Sequence, residues 1–321
     1  MQNDKNVSSL GDAGHSSPPH VISRVQMMGD LNLHHSEFRH VLLATDLTSI
    51  SALAAQYATR LAGQAAARLS ILHVFNPVRM PHSDTIGAHP TPQEVRKREA
   101  DRLDAMVDSV RKQLPGAEKH LLDGEPIPVV IEYANREHAD LIITGTHSSR
   151  TFDRLLLGST AEAIVRKSPC PVMTIGPNVS LTYEAERPFT RILCAMDFGD
   201  AAKSAAPVAI RLANESNAQL RFLHILPSAI NNGQPQPLVE QLFCNAMKHI
   251  LSTNEATAQV ECGVKYGSRI SESILQDSIE QRSDLIILGV RRRGTLASRL
   301  PAGIAFQVIE GAPCPVMTVS D

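Results

Sequence analysis

Short apolar runs alternate with longer amphipathic stretches along most of the chain. The runs ILHVF at 71–75 and LIITG at 141–145 are apolar on both faces, which is typical of a central parallel strand covered by helices. The stretches between such runs carry apolar residues at helical spacing. The alternation therefore predicts βαβ units, in which a helix returns the chain for the next parallel strand.

The pattern predicts the same element order twice. In the first half, strands are predicted at 40–45, 69–75, 119–122, 140–144 and 171–175, and helices at 49–63, 92–114, 126–138 and 159–167. In the second half, strands are predicted at 191–196, 219–225, 258–264, 284–288 and 315–319, and helices at 200–214, 236–252, 268–281 and 303–310. The predicted fold class is α/β, with two tandem, doubly wound, five-stranded and mostly parallel sheets. Ligands of such sheets bind outside the carboxyl ends of the strands, where the strand order reverses.

The two halves are copies of one sequence. HVLLATD at 40–46 is matched by RILCAMD at 191–197, which lies 151 positions later. PCPVMT at 169–174 recurs at 313–318, where the offset is 144 positions. The second copy has therefore lost seven residues in its middle, and a repeat of this length indicates two domains of the same fold.

The repeat sets the domain boundaries. Residues 38–177 are predicted to form the first domain, called copy one below, and residues 189–321 the second, called copy two. The polar segment 178–188 is expected to be a linker. Residues 1–37 are polar and lack the charged start, apolar middle and small-residue cleavage site of a signal peptide. We expect this tail to be disordered, apart from a short helical turn around Val21–Met28.

Composition excludes several partners. The chain of 321 residues carries 31 Lys and Arg against 33 Asp and Glu, so no basic field concentrates nucleic acid. No run of 18 apolar residues occurs, so no membrane span is predicted. The five cysteines are odd in number, widely spaced and form no CxxC, which indicates reduced thiols. We expect a cytoplasmic protein that binds neither nucleic acid nor membranes.

One glycine-bearing stretch stands out. The usual nucleotide signatures, a GxxxxGK[ST] loop and a GxGxxG turn after the first strand, do not occur. GTHSSRTFDRLLLGS at 145–159 begins at a strand end and finishes at a helix start, where backbone N–H groups and the helix dipole suit a phosphate. A structural interpretation is also open, because STAE at 159–162 is a capping box that alone explains Ser159 and Glu162.

This stretch, the Ala-x-Asp that ends the first strand and the Pro-Cys-Pro-Val-Met that opens the last one resemble the universal stress protein family. Nucleotide-binding members of that family carry G-x2-G-x9-G-[S/T] between the fourth strand and the fourth helix. The resemblance covers both copies and implies a tandem stress-response protein that binds ATP or a related adenine nucleotide. It implies six binding residues in copy one: Asp46 beside the ribose or adenine, the Val74 backbone at the adenine edge, Gly145 near the ribose, and Ser148, Gly158 and Ser159 around the phosphates.

The two copies depart from the family pattern to different degrees. Copy one departs once, at Ser148, which stands where the second glycine is expected; a positive φ there would cost about 1 kcal/mol. Copy two keeps the first glycine as Gly289 and the aspartate as Asp197. Three other positions of copy two have changed, to Arg292, Ala302 and Gly303. We therefore predict that nucleotide binds copy one only and that copy two is a degenerate structural copy.

Two other functions are open at this point. Loss of motif glycines also fits an interaction or regulatory protein that binds no nucleotide on the same scaffold and has an unknown protein partner. An enzyme such as an ATP pyrophosphatase, with a glycine-rich loop after the first strand, is disfavoured because that turn reads TDLTS at 45–49. No nucleophile, base or metal cluster is discernible in the sequence, so we expect at most slow hydrolysis of ATP.

The last strand of each copy predicts how the copies meet. An unpaired apolar edge strand promotes association, and single-domain members of the family are expected to dimerise through this edge. A chain with two copies can satisfy both edges itself. We therefore predict that 171–175 and 315–319 pair antiparallel across a pseudo-two-fold axis, which makes the two domains an intramolecular pair.

Overall fold

The structure is a computed structural model that describes residues 21–22, 38–79, 90–146, 158–180, 189–228, 236–291 and 303–321. Before the linker, the strands are β1 (Val21–Ile22), β2 (His40–Thr45), β3 (Arg68–Phe75), β4 (Glu118–Asp123), β5 (Leu141–Gly145) and β6 (Val172–Ile175), and the helices are α1 (Ser49–Ala65), α2 (Pro92–Arg111), α3 (Pro126–Arg136) and α4 (Ser159–Lys167). After the linker, the strands are β7 (Arg191–Ala195), β8 (Gln219–Pro227), β9 (Val260–Gly267), β10 (Leu285–Val290) and β11 (Val316–Ser320), and the helices are α5 (Asp200–Ser216), α6 (Gln236–Thr253), α7 (Ile270–Glu280) and α8 (Ile304–Gly311). Every strand and helix predicted for the two copies is confirmed, and its ends differ from the prediction by three residues or fewer.

The strands form one sheet. Its order is β1-β9-β8-β7-β10-β11-β6-β5-β2-β3-β4. Within each copy the five strands are parallel, and the chain starts in the middle, winds to one edge and then returns to the other side. The strand order therefore reverses between β2 and β5 in copy one and between β7 and β10 in copy two, which confirms the doubly wound fold.

Each face of the sheet is covered by four helices. Side chains of alternate strand residues belong to two separate buried clusters, as a two-residue period requires. Leu43 lies in the cluster that α1, α2, α5 and α6 cover, whereas Leu42 lies in the cluster that α3, α4, α7 and α8 cover. Both clusters run through the two copies. The central strands are apolar at successive positions because each face has its own core.

An aspartate before the fourth strand of each copy fixes the start of that copy's first strand. The Asp140 carboxylate accepts the backbone N–H groups of residues 39–40, at 2.8 and 2.9 Å. Asp284 accepts those of residues 190–191 in the same way, at 2.7 and 3.0 Å. The repeated sequence DLII therefore carries a structural contact, in which a carboxylate satisfies two backbone donors at a strand end.

The two copies meet at the predicted seam between β6 and β11. These strands pair antiparallel, and threonine hydroxyls cross between them. Thr174 Oγ1 donates to the Val316 carbonyl at 3.0 Å, and Thr318 Oγ1 donates to the Val172 carbonyl at 3.2 Å. The reciprocal contacts have the symmetry of a two-fold axis, so the predicted intramolecular pair is confirmed.

The tail departs from its prediction at one place. Val21 and Ile22 were expected in a helical turn, but they form β1 and pair antiparallel with residues 260–261 of β9. The helical interpretation is wrong for these two residues because β9 is the edge strand of copy two, and its backbone groups there favour an added strand. The rest of the tail lies outside the described residues.

The seam yields a register test. Met173 and Met317 are opposite each other and fully buried in the same cluster, so their Cα atoms are close enough for a disulfide. We expect the double variant Met173→Cys with Met317→Cys to form that disulfide on mild oxidation. Peptide mass spectrometry under non-reducing conditions identifies the linked pair among the native cysteines.

The matched control is Met173→Cys with Thr318→Cys. A shift of one residue moves the second thiol to the opposite face of the sheet, so this pair should not link. Equal linkage in both variants, or in neither, would contradict the seam.

Candidate functional site

The predicted binding residues converge at the carboxyl edge of copy one, at the point of strand reversal. Asp46 follows β2, and Gly145 ends β5 at the level of Thr45, because Ala44 pairs with Thr144 one residue earlier. Val74, which is 9% exposed, lies near the carboxyl end of the neighbouring strand β3.

Gly158 and Ser159 are brought to the same edge by a backbone contact. The Gly158 N–H donates to the Thr146 carbonyl at 2.7 Å, which ties the start of α4 to the end of β5. The structure thus assembles five of the six predicted residues at one edge. The sixth, Ser148, lies outside the described residues.

Asp46 is held by the start of α1. Its Oδ1 atom accepts three hydrogen bonds: the Thr48 N–H at 3.1 Å, the Thr48 hydroxyl at 2.7 Å and the Ser51 hydroxyl at 2.6 Å. The residue is exposed, and no hydrogen bond to Oδ2 is formed within the described part of the chain. One carboxylate oxygen is therefore fixed by the protein, while the other has no partner among the described residues and can accept from a ligand hydroxyl.

The turn that presents Asp46 is strained. Leu47 has φ +62°, a left-handed conformation that costs about 1–2 kcal/mol for a residue with a Cβ. Two contacts stabilise it: the Leu47 N–H donates to Thr45 Oγ1 at 3.0 Å, and the Arg102 guanidinium donates to the Leu47 carbonyl. Such strain persists only where the surroundings fix it, and here Arg102 of α2 supplies part of that support.

His73 supports the same turn from β3. Its Nδ1 atom donates to the Thr45 carbonyl at 2.8 Å, since a carbonyl oxygen can only accept. Its Nε2 atom lies 3.1 Å from the Glu99 carboxylate. The side chain is buried and hydrogen-bonded, so we assign it to holding the turn in place rather than to a metal.

The start of α4 overturns the capping-box interpretation. The cap residue is Gly158 and not Ser159, which is the first residue of the helix, and no side chain caps the first turn in the described part of the chain. The helix begins at Ser159, as predicted, and Gly158, whose N–H contacts the Thr146 carbonyl, takes the cap position that the capping box gave to the serine. Ser159 is exposed, so its hydroxyl and the first N–H groups of α4 are left for an anion.

Copy two keeps the turn but has fewer hydrogen bonds to its aspartate. Phe198 has φ +59°, as Leu47 has, and His224 donates to the Met196 carbonyl at 2.6 Å, as His73 donates to Thr45. Asp197 Oδ1, however, accepts only the Gly199 N–H among the described residues, at 2.8 Å.

The residues that support Asp46 in copy one were missed by sequence analysis. They are Thr48, Ser51, Glu99 and Arg102. The positions that correspond to them in copy two hold Gly199, Ala202, Phe243 and Ala246. Phe243 stacks on His224 with ring centres 5.6 Å apart, where copy one has the Glu99 contact. A comparison of the copies for polar residues lost in copy two would have found all four.

Gly289 has a packing role in copy two. A Cβ added there would lie 2.3–2.4 Å from backbone atoms of residues 201–202, at the start of α5. At Gly145 the nearest atoms would be the Ile50 Cγ2 at 3.0 Å and the Ser51 nitrogen at 3.4 Å. The helix therefore packs more closely on the strand end in copy two, which explains why this glycine persists without the rest of the motif.

Metal and thiol chemistry have little support. Among the described residues, no group of three or more His, Cys, Asp or Glu side chains could hold a metal ion. A separate finding for the same residues is that no helix is both long and apolar enough to cross a membrane. The five cysteines are free thiols. Burial raises the pKa of Cys314 to about 12, so little thiolate is present at neutral pH and the thiol is unreactive.

Comparison with known proteins identifies the class and the family. The sequence profile of the Universal stress protein family matches residues 37–176 and 188–320. A universal stress protein of Thermus aquaticus is 32% identical over 144 residues, which make up 43% of this chain and 98% of that protein. The crystal structure of a universal stress protein from Archaeoglobus fulgidus is 19% identical, covers 88% of this chain and 98% of its own, and has a TM-score of 0.65.

A further solved structure is of a universal stress protein in complex with cAMP; it is 22% identical, covers 43% of this chain and 97% of its own, and has a TM-score of 0.34. The fold is the Rossmann-like fold of the adenine-nucleotide alpha-hydrolase type. The chain belongs to the universal stress protein family, with one family domain in each copy, as the resemblance predicted.

The two strand-end glycines make a matched pair for stability. We expect Gly289→Ala to lower the free energy of unfolding by about 1–3 kcal/mol, because the backbone of α5 must move. Gly145→Ala should cost less than about 1 kcal/mol, since the Ile50 side chain can shift. Urea unfolding of both variants measures the difference, and equal losses would show that the two helices pack alike.

Proposed function

We propose that this universal stress protein binds ATP or a related adenine nucleotide in copy one, and that copy two is a structural copy without a working site. The observation that carries the proposal is the polar support of Asp46, which three donors hold in copy one and which copy two has lost. A support of this kind pre-organises a carboxylate for a ligand that binds where the strand order reverses.

Each part of the nucleotide has a group to contact. The Oδ2 atom of Asp46 suits a ribose hydroxyl, and the Val74 backbone lies on the neighbouring strand, where it suits the adenine edge. Gly145 ends β5 at the same edge, where the family resemblance places the ribose. The uncapped first turn of α4, with Gly158 and Ser159, suits the phosphates.

We propose that the bound nucleotide is hydrolysed slowly or not at all. One oxygen of Asp46 is held by α1 and the other is assigned to the ribose hydroxyl, and His73 is buried with both ring nitrogens occupied, so neither residue is left to activate water. Positioned acids and bases are what hydrolysis requires. We propose a cytoplasmic stress-response protein that holds a nucleotide, with slow hydrolysis as the upper limit of its activity.

A second function has one observation in its favour. Leu238 and Leu242 lie one turn apart on α6 and are 45% and 61% exposed, whereas half of the residues in the corresponding helix α2 are charged. An apolar stripe on a helix suits contact with another protein. An interaction protein that binds no nucleotide is therefore the alternative, and nucleotide binding separates the two.

The cap glycines of α4 and α8 provide the test. Gly158 and Gly303 both have negative φ, and aspartate is a favoured cap residue, so Gly158→Asp and Gly303→Asp should leave folding intact. Gly158→Asp places a negative charge at the proposed phosphate site. We expect it to weaken ATP binding, measured by titration calorimetry, by at least about tenfold.

Gly303→Asp is the control, because it places the same charge at the cap of the corresponding helix in copy two. It should leave ATP affinity unchanged. Equal losses of ATP affinity in the two variants would show that copy two binds nucleotide. Full ATP affinity in Gly158→Asp would show that the start of α4 is not part of the binding site.

A further inference from the structure

Thr146 is fixed beside the start of α4 by both of its backbone groups. Its N–H donates to the Ile175 carbonyl at 3.0 Å, which continues the pairing of β5 with β6 by one residue. Its carbonyl accepts the Gly158 N–H at 2.7 Å. The residue therefore lies between the end of the sheet and the uncapped helix start, with little freedom of position.

The Thr146 hydroxyl is buried without a partner. The side chain belongs to a residue that is 2% exposed, and Oγ1 makes no hydrogen bond among the described residues. Other buried threonines of this sheet are satisfied: Thr144 Oγ1 donates to the Gly145 carbonyl, and Thr45 Oγ1 accepts the Leu47 N–H. A buried hydroxyl without a partner carries an uncompensated desolvation cost. A ligand atom that accepts a hydrogen bond from it would remove that cost.

The strand alternation assigns the Thr146 side chain to the face that α4 covers. Ile142 lies in the same buried cluster as Ile164 of α4, and a two-residue period carries that face from Ile142 to residue 146. The corresponding residue of copy two, Val290, packs against the same cluster, which agrees with this assignment. The hydroxyl is thus on the side of the sheet where α4 begins.

Copy two shows that the fold does not need the hydroxyl. Val290 has the shape of threonine but replaces the hydroxyl by a methyl group, and it occupies the last position of β10. Among the described residues, α8 also begins without a side-chain cap, but the Val290 carbonyl accepts the Asp321 N–H at 3.4 Å, where the Thr146 carbonyl accepts that of the cap glycine. The hydroxyl is therefore present only in the copy that retains the other ligand-binding groups.

We propose that the Thr146 hydroxyl donates a hydrogen bond to a phosphate oxygen of the nucleotide that copy one binds at the start of α4. This inference rests on the proposed function and names a residue that selects for the phosphate part of the ligand. A hydrogen bond to a charged oxygen is stronger than one between neutral groups. Thr146 therefore favours a phosphorylated nucleoside over the free nucleoside.

The test compares Thr146→Val, which copies the residue of copy two, with Thr146→Ser, which keeps the hydroxyl. Both are made in the full chain and titrated with ATP and with adenosine. Thr146→Val should lose about tenfold in ATP affinity, or 1.4 kcal/mol, and little in adenosine affinity. Thr146→Ser should stay within about threefold of the wild-type chain for ATP, since its donor is retained.

Thermal unfolding of the ligand-free variants gives a second, independent measurement. If the hydroxyl has no protein partner, Thr146→Val should melt at or above the temperature of the wild-type chain, because an unsatisfied group has been removed. A clearly lower melting temperature would show that the hydroxyl is bonded within the protein and would overturn the proposal.

The binding results also separate this contact from the wider proposal. A wild-type chain that binds ATP with an affinity that Thr146→Val leaves unchanged overturns the contact alone. Equal losses for ATP and adenosine overturn the assignment to phosphate. A wild-type chain that binds neither compound overturns the proposed function, and this contact with it.

Discussion

The antiparallel pairing of β6 with β11 is the contact on which the rest of the molecule depends. Each of these strands would otherwise be an apolar edge of a five-stranded sheet. An exposed edge of that kind pairs with other chains, so each copy needs the last strand of the other to pair with its own. This pairing does not depend on a bound ligand. Copy two therefore has to keep its fold, its last strand and its buried clusters even if its own site binds nothing.

This constraint explains what copy two has kept and lost. It retains the left-handed turn after its first strand and the histidine that supports it, and both belong to the fold. It has replaced the charged partner of that histidine by Phe243, which stacks on the ring and stabilises the turn by apolar contact instead. Gly289 persists for the close packing of α5. The groups lost include the Thr48 and Ser51 hydroxyls, which hold the carboxylate of Asp46 in copy one.

Much of the architecture could be predicted from the sequence alone. Runs such as LIITG have the composition of buried parallel strands. The repeat predicted the element order of copy two and the two strands that pair at the seam. The predicted topology indicated where the strand order reverses, so the positions of Asp46 and Gly145 at that edge were predictable as well.

Two details of the site and one of the tail were less predictable, each for a physical reason. Glu99 and Arg102 act on a turn more than 50 residues earlier in the chain, and no local pattern reports such a contact. Ser159 matches the first residue of a capping box, but the cap residue is Gly158, whose N–H donates to the Thr146 carbonyl just after β5. β1 depends on an edge in the other domain, which a local helix prediction for the tail ignores.

The central claim is that one chain holds two domains of one fold and a single working site. Native mass spectrometry of the purified full chain, with ATP added at several concentrations, counts bound nucleotides directly. The account predicts saturation at one adenine nucleotide per chain. Saturation at two per chain would show that copy two also binds, and a chain that stays free of nucleotide at every concentration would contradict the account.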